Sequence, residues 1–251
     1  MSRASIPLLP HTGMLPAVPQ IIGGGEYAAL SQITAETVGA TLGHGYIPMT
    51  PGARGPSLLL VKCHLRRALL NWEHLHLPRN TRRYARGLRL LINHDPRGAI
   101  HRSHTAHADS WLNPQLQEAL AELAETSEHG VRVVTAELHD EAGHPVAGEL
   151  GSMCGTVYTS LSGWHARNGA GWALLGSFAA VLQQAGVSLW DLGMSIDYKL
   201  RFGARELDRD AFLLRFRAAA DAAPLSLGAA GEAYDAPELV NRTRTLVAGD
   251  G

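Results

Sequence analysis

Only two cysteines, Cys63 and Cys154, occur in the 251 residues. They stand far apart and match no metal or redox spacing, so no zinc site, other metal site or disulfide framework is expected, and both read as packing residues. No apolar run approaches the ~18 residues needed to span a bilayer, and no basic-then-apolar leader opens the chain, so no membrane is expected among its partners and the expected compartment is the cytoplasm. The sequence has no G-x-S-x-G elbow and neither cysteine sits in a nucleophile setting, which agrees with chemistry that needs no covalent enzyme intermediate. Aromatics are sparse at 6% and charged residues at 18%, yet 45% of the residues are hydrophobic, a globular composition rather than a disordered or fibrous one.

The scarce charge is unevenly spread. Ten of the 22 Lys and Arg residues lie between positions 62 and 102 (Lys62, Arg66, Arg67, Arg79, Arg82, Arg83, Arg86, Arg89, Arg97, Arg102), against only Glu73 and Asp95. Such a cluster neutralises phosphates and releases counterions, so it reads as a nucleic-acid footprint on a chain of net charge -1, or as a merely solvated surface. His94, His101, His104 and His107 match no familiar zinc pattern and read as structural or phosphate-facing groups.

Punctuation and periodicity place the elements. Four prolines and Gly23 to Gly25 make residues 1–30 loop and irregular structure. Thr34 caps a short helix to about Gly43, and Leu58–Val61 and Leu88–Ile92 are strand-length apolar runs. Asn113 and Pro114 open a second helix, with Leu116, Leu120 and Leu123 as its stripe. Strands are expected over Val131–Glu137, from Val146, and over Thr156–Ser160. A largely buried helix over Gly171–Gln184 leads to a strand over Val187–Leu192. The result is an α/β (α+β) chain with a mixed sheet flanked by helices: a smaller N-terminal lobe with the basic segment over 1–109, a layered domain over 110–217 with a cleft expected at its strand ends, and a partly disordered tail over 218–251, mobile after about Pro224.

From Val133 to Phe212 the sequence resembles the bacterial leucyl/phenylalanyl-tRNA protein transferase family. The family's S-[VI]-E-V-W strand corresponds to Thr135–His139, keeping Glu137. Its glycine-rich hairpin is echoed without a gap by Ala147, Gly148, Leu150, Gly151, Gly155 and Tyr158. Its I-D-C-Q strand corresponds to Trp190–Gly193, keeping Asp191, and its S-L-G-A segment to Arg201–Ala204. Upstream, Gly45–Pro48, Arg66–Leu70, Arg79–Arg83 and Trp111–Pro114 follow the family's blocks in order. Three departures stand out. The family glutamine two residues after the aspartate is Gly193; its tandem tryptophans before the P-R strand are missing; and its hairpin end, glycine-glutamate-serine-methionine-phenylalanine, is Ser160, Leu161, Ser162, Gly163 and Trp164.

The resemblance implies an acetyltransferase-like domain that uses aminoacyl-tRNA in place of acetyl-CoA, with no cofactor, no DNA partner, and amide formation on an amine: a small-molecule amine in biosynthesis, or a protein N-terminus. It assigns Glu137 to the α-ammonium of the donated amino acid and Asp191 to the acceptor amine. Tyr158, Ser162 and Trp164 become walls of the aminoacyl pocket, and Lys62, Arg66, Arg67, Arg79, Arg82 and Arg83 the tRNA-binding set. Asp197 or Tyr198 would replace the missing glutamine. Two alternatives stay open. Ala166–Gly171 reads A-x-x-G-x-G before a helix, which would suit an acetyl-CoA pyrophosphate; or the chain binds tRNA without chemistry.

Overall fold

The computed structural model describes residues 6–52, 56–108, 110–127, 129–228 and 230–248. The N-terminal lobe starts with β1 (Leu8–Leu9), α1 (Val18–Ile22) and β2 (Tyr27–Leu30), and continues through α2 (Ala35–Gly43), β3 (Ile47–Met49) and β4 (Leu59–Lys62). The Thr34 hydroxyl accepts from the Thr37 N–H and the Thr37 hydroxyl from the Thr34 N–H, so the helix start is satisfied in both directions. The four strands form a small sheet in the order β1-β2-β4-β3.

The chain then builds an eight-stranded sheet. Its elements are β5 (Arg66–Leu70), α3 (Thr81–Tyr84), β6 (Arg89–Ile92), α4 (Pro96–Thr105), α5 (Pro114–Glu125), β7 (Val131–His139), β8 (Pro145–Cys154) and β9 (Val157–His165). They are followed by α6 (Ala170–Ala185), β10 (Leu189–Asp191), α7 (Asp197–Arg201), β11 (Arg205–Asp208), α8 (Arg209–Ala220), β12 (Ala233–Asp235) and α9 (Ala236–Ala248). The strand order is β11-β5-β10-β9-β8-β7-β6-β12. All described neighbours in it are antiparallel except β9 and β10, which run parallel because α6 carries the chain across between them. Alternate residues feed two cores: Val131 and Val133 of β7 face the one built with α2, α5 and α8, and Val134, Ala136 and Leu138 face the one built with α6 and α9.

Two expectations about organisation need correcting. Position 110 is no seam, because β5 and β6 from the first 109 residues are integral strands of the large sheet. Nor are residues 233–248 of the expected tail loose: β12 extends the sheet beside β6, and α9 buries Leu239, Val240 and Thr243 against α6, while residues 249–251 lie outside the described residues. The physical reason is that α6 is apolar nearly all round and needs a second cover besides the sheet.

Arg209, the first residue of α8, ties the lobe to the sheet. Its guanidinium donates to the carbonyls of Gly23 (2.8 Å), Gly25, Cys63 (2.8 Å) and His64 (3.3 Å).

Candidate active site

Parallel pairing of β9 with β10 covers only Val157 to Thr159. Beyond that point β10 turns toward β5, with the Leu192 N–H donating to the Ala68 carbonyl and the Ala68 N–H to the Gly193 carbonyl, both at 2.9 Å. Strand β9 instead stays with β8 as far as His165. The strands part, and a cavity of about 530 Å³ opens there, walled by Trp164, His165, Trp172, Leu175, Tyr198 and His107. A smaller cavity of about 60 Å³ is bounded by Glu149, Ser160, Ser162, Leu192, Tyr198 and Lys199. Glu149, Gly163, Leu175 and Tyr198 line both spaces.

A bulge shapes this wall. Leu150 pairs with Ser162 and Gly151 with Ser160, leaving Leu161 over, and its side chain packs on the core of α2 and α5. Gly148 is a glycine for a steric reason: a Cβ there would lie 2.3 Å from the Trp164 Nε1, so only its absence lets the indole lie across β8.

Glu149 dominates the electrostatics. It is 6% exposed, and its Oε1 has no hydrogen-bond partner among the described residues. Burial pushes its carboxyl up to about 7, with the Ser160 hydroxyl and the Lys199 amine pulling the other way. The Lys199 amine donates to the Leu192 carbonyl; burial lowers its pKa, opposed by Glu149 and Asp191. Tyr198 is pushed up to about 12, chiefly by burial.

The residues singled out from sequence divide sharply. Ser162 and Trp164 do line the cavities. Tyr158 lies in an aromatic core with Phe178 and Trp190 at 5.0 and 6.1 Å, fully buried; only its hydroxyl, unpartnered and within the field of Glu149, concerns the site. Asp191 and Glu137 sit outside both cavities. Asp191 is fully buried and holds the Arg67 guanidinium with both oxygens, Oδ1 at 3.1 Å from Nε, while Oδ1 also accepts from the Gly193 N–H at 2.9 Å. Glu137 takes two bonds of 2.8 Å from Arg102 of α4. Both carboxylates are thus engaged by arginines, and neither lines a cavity. Of the two residues expected to replace the missing glutamine, Tyr198 lines both cavities and Asp197 neither; a Cβ built at Gly193 would meet the Ser160 carbonyl oxygen at 3.5 Å and the Lys199 Nζ at 3.9 Å.

The basic segment also divides. Arg67 is buried over the Phe212 ring, 4.5 Å from its centroid, and cannot face a phosphate. Arg66 pairs with Glu206, Lys62 lies over Tyr27, Arg97 pairs with Glu118 and Glu125, and Arg102 pairs with Glu137. Arg79, Arg82 and Arg83 are exposed and, among the described residues, have no carboxylate within ion-pair reach. Next to them Tyr84 packs on Gly169 of the cavity wall, where a Cβ would lie 2.4 Å from the ring.

Sequence reasoning missed Glu149 and Lys199. The signal for Glu149 was present: it is the single charged residue among positions 145–164.

The chain is thus of the mixed α/β class, an eight-stranded sheet whose single parallel pair parts after a crossover helix and leaves ionisable groups in the opening. The leucyl/phenylalanyl-tRNA protein transferase model matches residues 69–217, and the chain belongs to that family of aminoacyl-tRNA-dependent enzymes. A search of curated proteins found no match. Among solved structures, the chain is similar to the C-terminal domain of a protein assigned as a lysylphosphatidylglycerol synthetase from Agrobacterium fabrum, at 15% identity and a TM-score of 0.43 over 88% of this chain and 78% of that one. It is also similar to L-PGS from Bacillus licheniformis, at 13% identity and a TM-score of 0.39 over 83% and 76%. No helix among the described residues is long and apolar enough to cross a membrane.

Proposed function

We propose that this chain transfers the aminoacyl group of an aminoacyl-tRNA to an amine, forming an amide in the cleft where β9 and β10 part. The observation that carries the proposal is the buried Glu149 carboxylate, one oxygen unpartnered, beside a cavity of about 530 Å³ with aromatic walls. An ester of tRNA is already activated, so the protein has to hold an unprotonated amine against the ester carbonyl and give its proton a path. Positioning alone contributes several kcal/mol, up to about 7–11 in ideal models.

The tRNA backbone would lie along α3, where Arg79, Arg82 and Arg83 are free to meet phosphates, and its aminoacyl end would pass Tyr84 into the cavity. The aminoacyl side chain would rest on Trp164 and Trp172. The acceptor is a small-molecule amine or a protein N-terminus, either of which presents the nitrogen that a carboxylate in this cleft would receive. The acetyl-CoA alternative loses support at Gly169, whose missing Cβ is required by the Tyr84 ring, and that ring occupies the approach to the start of α6.

Total tRNA charged with each labelled amino acid, mixed with the protein and a panel of N-terminal peptides and small amines, tests this. Transfer from one charged tRNA to one acceptor class is the expected result. Binding of charged tRNA with no transfer to any amine would sink the catalytic reading, and binding of acetyl-CoA without tRNA would replace it.

A further inference from the structure

We propose that Glu149 and Lys199 are the reacting pair of this cleft, Glu149 receiving the proton of the incoming amine and Lys199 facing the ester carbonyl oxygen. The inference rests on aminoacyl transfer as proposed above. It answers a chemical deficit, because two polar side chains of the family pattern are missing: a glutamine at Gly193 and a glutamate at Leu161.

The structure shows what stands in their stead. The Lys199 Nζ lies 3.9 Å from where a Cβ at Gly193 would be, next after the Ser160 carbonyl oxygen at 3.5 Å, so the amine borders the volume a side chain at 193 would have entered, from six residues further along the chain in α7. Leu161 is the bulged residue of β9 and is turned to the other core, while the carboxylate at the cavity comes from Glu149 on the adjacent strand β8. Lys199 is also one of only two lysines in the sequence, the other being Lys62 over the Tyr27 ring. Basic positions elsewhere are arginine, whose guanidinium does not give up a proton; an amine at 199 does. Glu149 and Lys199 both line the small cavity of about 60 Å³, and among the described residues no ion pair joins them. Substrate atoms can therefore sit between them.

The step balances as follows. The neutral amine attacks the ester carbonyl carbon, a C–N bond forms, and the carbonyl electron pair moves onto oxygen beside the Lys199 ammonium. Glu149 takes the proton from nitrogen. Protonated Glu149 no longer supports the charge on Lys199, which gives its proton to the departing ribose oxygen as the C–O bond breaks. Transfer of the proton from Glu149 to Lys199 restores both groups. The groups facing the pair are Ser160 of β9 and the hydroxyls of Tyr158 and Tyr198, with Asp191 and Arg67 acting on Lys199 from β10 and β5.

The test compares the full chain with Glu149→Gln and Lys199→Met, measuring transfer against pH, binding of charged tRNA and thermal stability. Glu149→Gln should lower the transfer rate by at least roughly 100-fold with tRNA affinity unchanged. Lys199→Met should lower it on the order of 100-fold. In the unaltered protein the rate should rise with pH through about 7, and Lys199→Met should move that midpoint upward, because the cation lowers the Glu149 pKa. A second readout needs no turnover: labelling by an amine-selective ester, Lys199 read against Lys62. Glu149→Gln removes the charge that keeps Lys199 protonated, so labelling at Lys199 should rise several-fold at neutral pH. Variants that transfer at the original rate, or an unchanged labelling ratio, overturn the pair while leaving aminoacyl transfer standing. An unaltered protein that transfers to no amine overturns both.

Discussion

Removing the Asp191 side chain would leave the Arg67 guanidinium fully buried against Phe212 without its counter-charge. Breaking one side of a buried pair costs about 3–5 kcal/mol. Asp191→Ala should therefore lower the unfolding midpoint strongly, as thermal denaturation would show. The Gly193 N–H also bonds to Asp191, so this carboxylate sets the turn that brings Lys199 inward; it acts on the site through backbone. Glu137 and Asp191 were legible in sequence as strand carboxylates kept from the family's motifs, but their arginine partners lie 35 and 124 residues away and no local pattern reveals them. Glu149 was overlooked for the opposite reason: no ion pair among the described residues marks it, and its unpartnered Oε1 is what makes it available to a substrate.

At the scale of elements, α9 reaches the proposed tRNA surface. Arg244 donates to the carbonyls of Pro78 and Arg79, both at 2.8 Å, and so fixes the segment that leads into α3. Arg244→Ala should raise amide exchange around residues 78–84 and weaken binding of charged tRNA while barely moving the unfolding midpoint. Hydrogen exchange and a filter-binding titration would check the two halves separately. Helices with both a cap and an apolar stripe, α2 and α5, were legible to within a residue or two. Helix α4 begins with the same kind of signal, Asp95 accepting from the Gly98 N–H ahead of Pro96, but its run of His, Arg and Ser carries no apolar stripe to extend it. Helix α9 has its cap at Asp235 and buries Leu239, Val240 and Thr243, too short a stripe to stand out in an Ala- and Gly-rich end. Strand β5 was suggested by resemblance alone, since Arg67 in its middle gives no sign of being buried.

For the molecule as a whole, acid sensitivity has an identifiable source in His64. Burial first, then the charges of Arg67, Lys62, Lys199 and Arg209, hold its pKa down to about 3, and Glu26 at 3.8 Å does not offset them. The unfolded chain binds a proton near pH 6.5 and the folded one does not, so stability is lost as pH falls from about 6.5 toward 3. His64→Gln should flatten that side of the curve of unfolding midpoint against pH. The general plan of sheet, crossover helix and strand was legible in the spacing of apolar runs and glycines. The union of the two lobes was not, because it hangs on Arg209, whose carbonyl partners at residues 23, 25, 63 and 64 precede it by 145 to 186 positions. That arrangement has a consequence for biosynthesis. Domains ordinarily fold in the order they leave the ribosome; here the carbonyls of the earliest loops meet their donor only once α8 has been synthesised, so a chain truncated before Arg209 should show faster amide exchange in the first lobe than the full chain does.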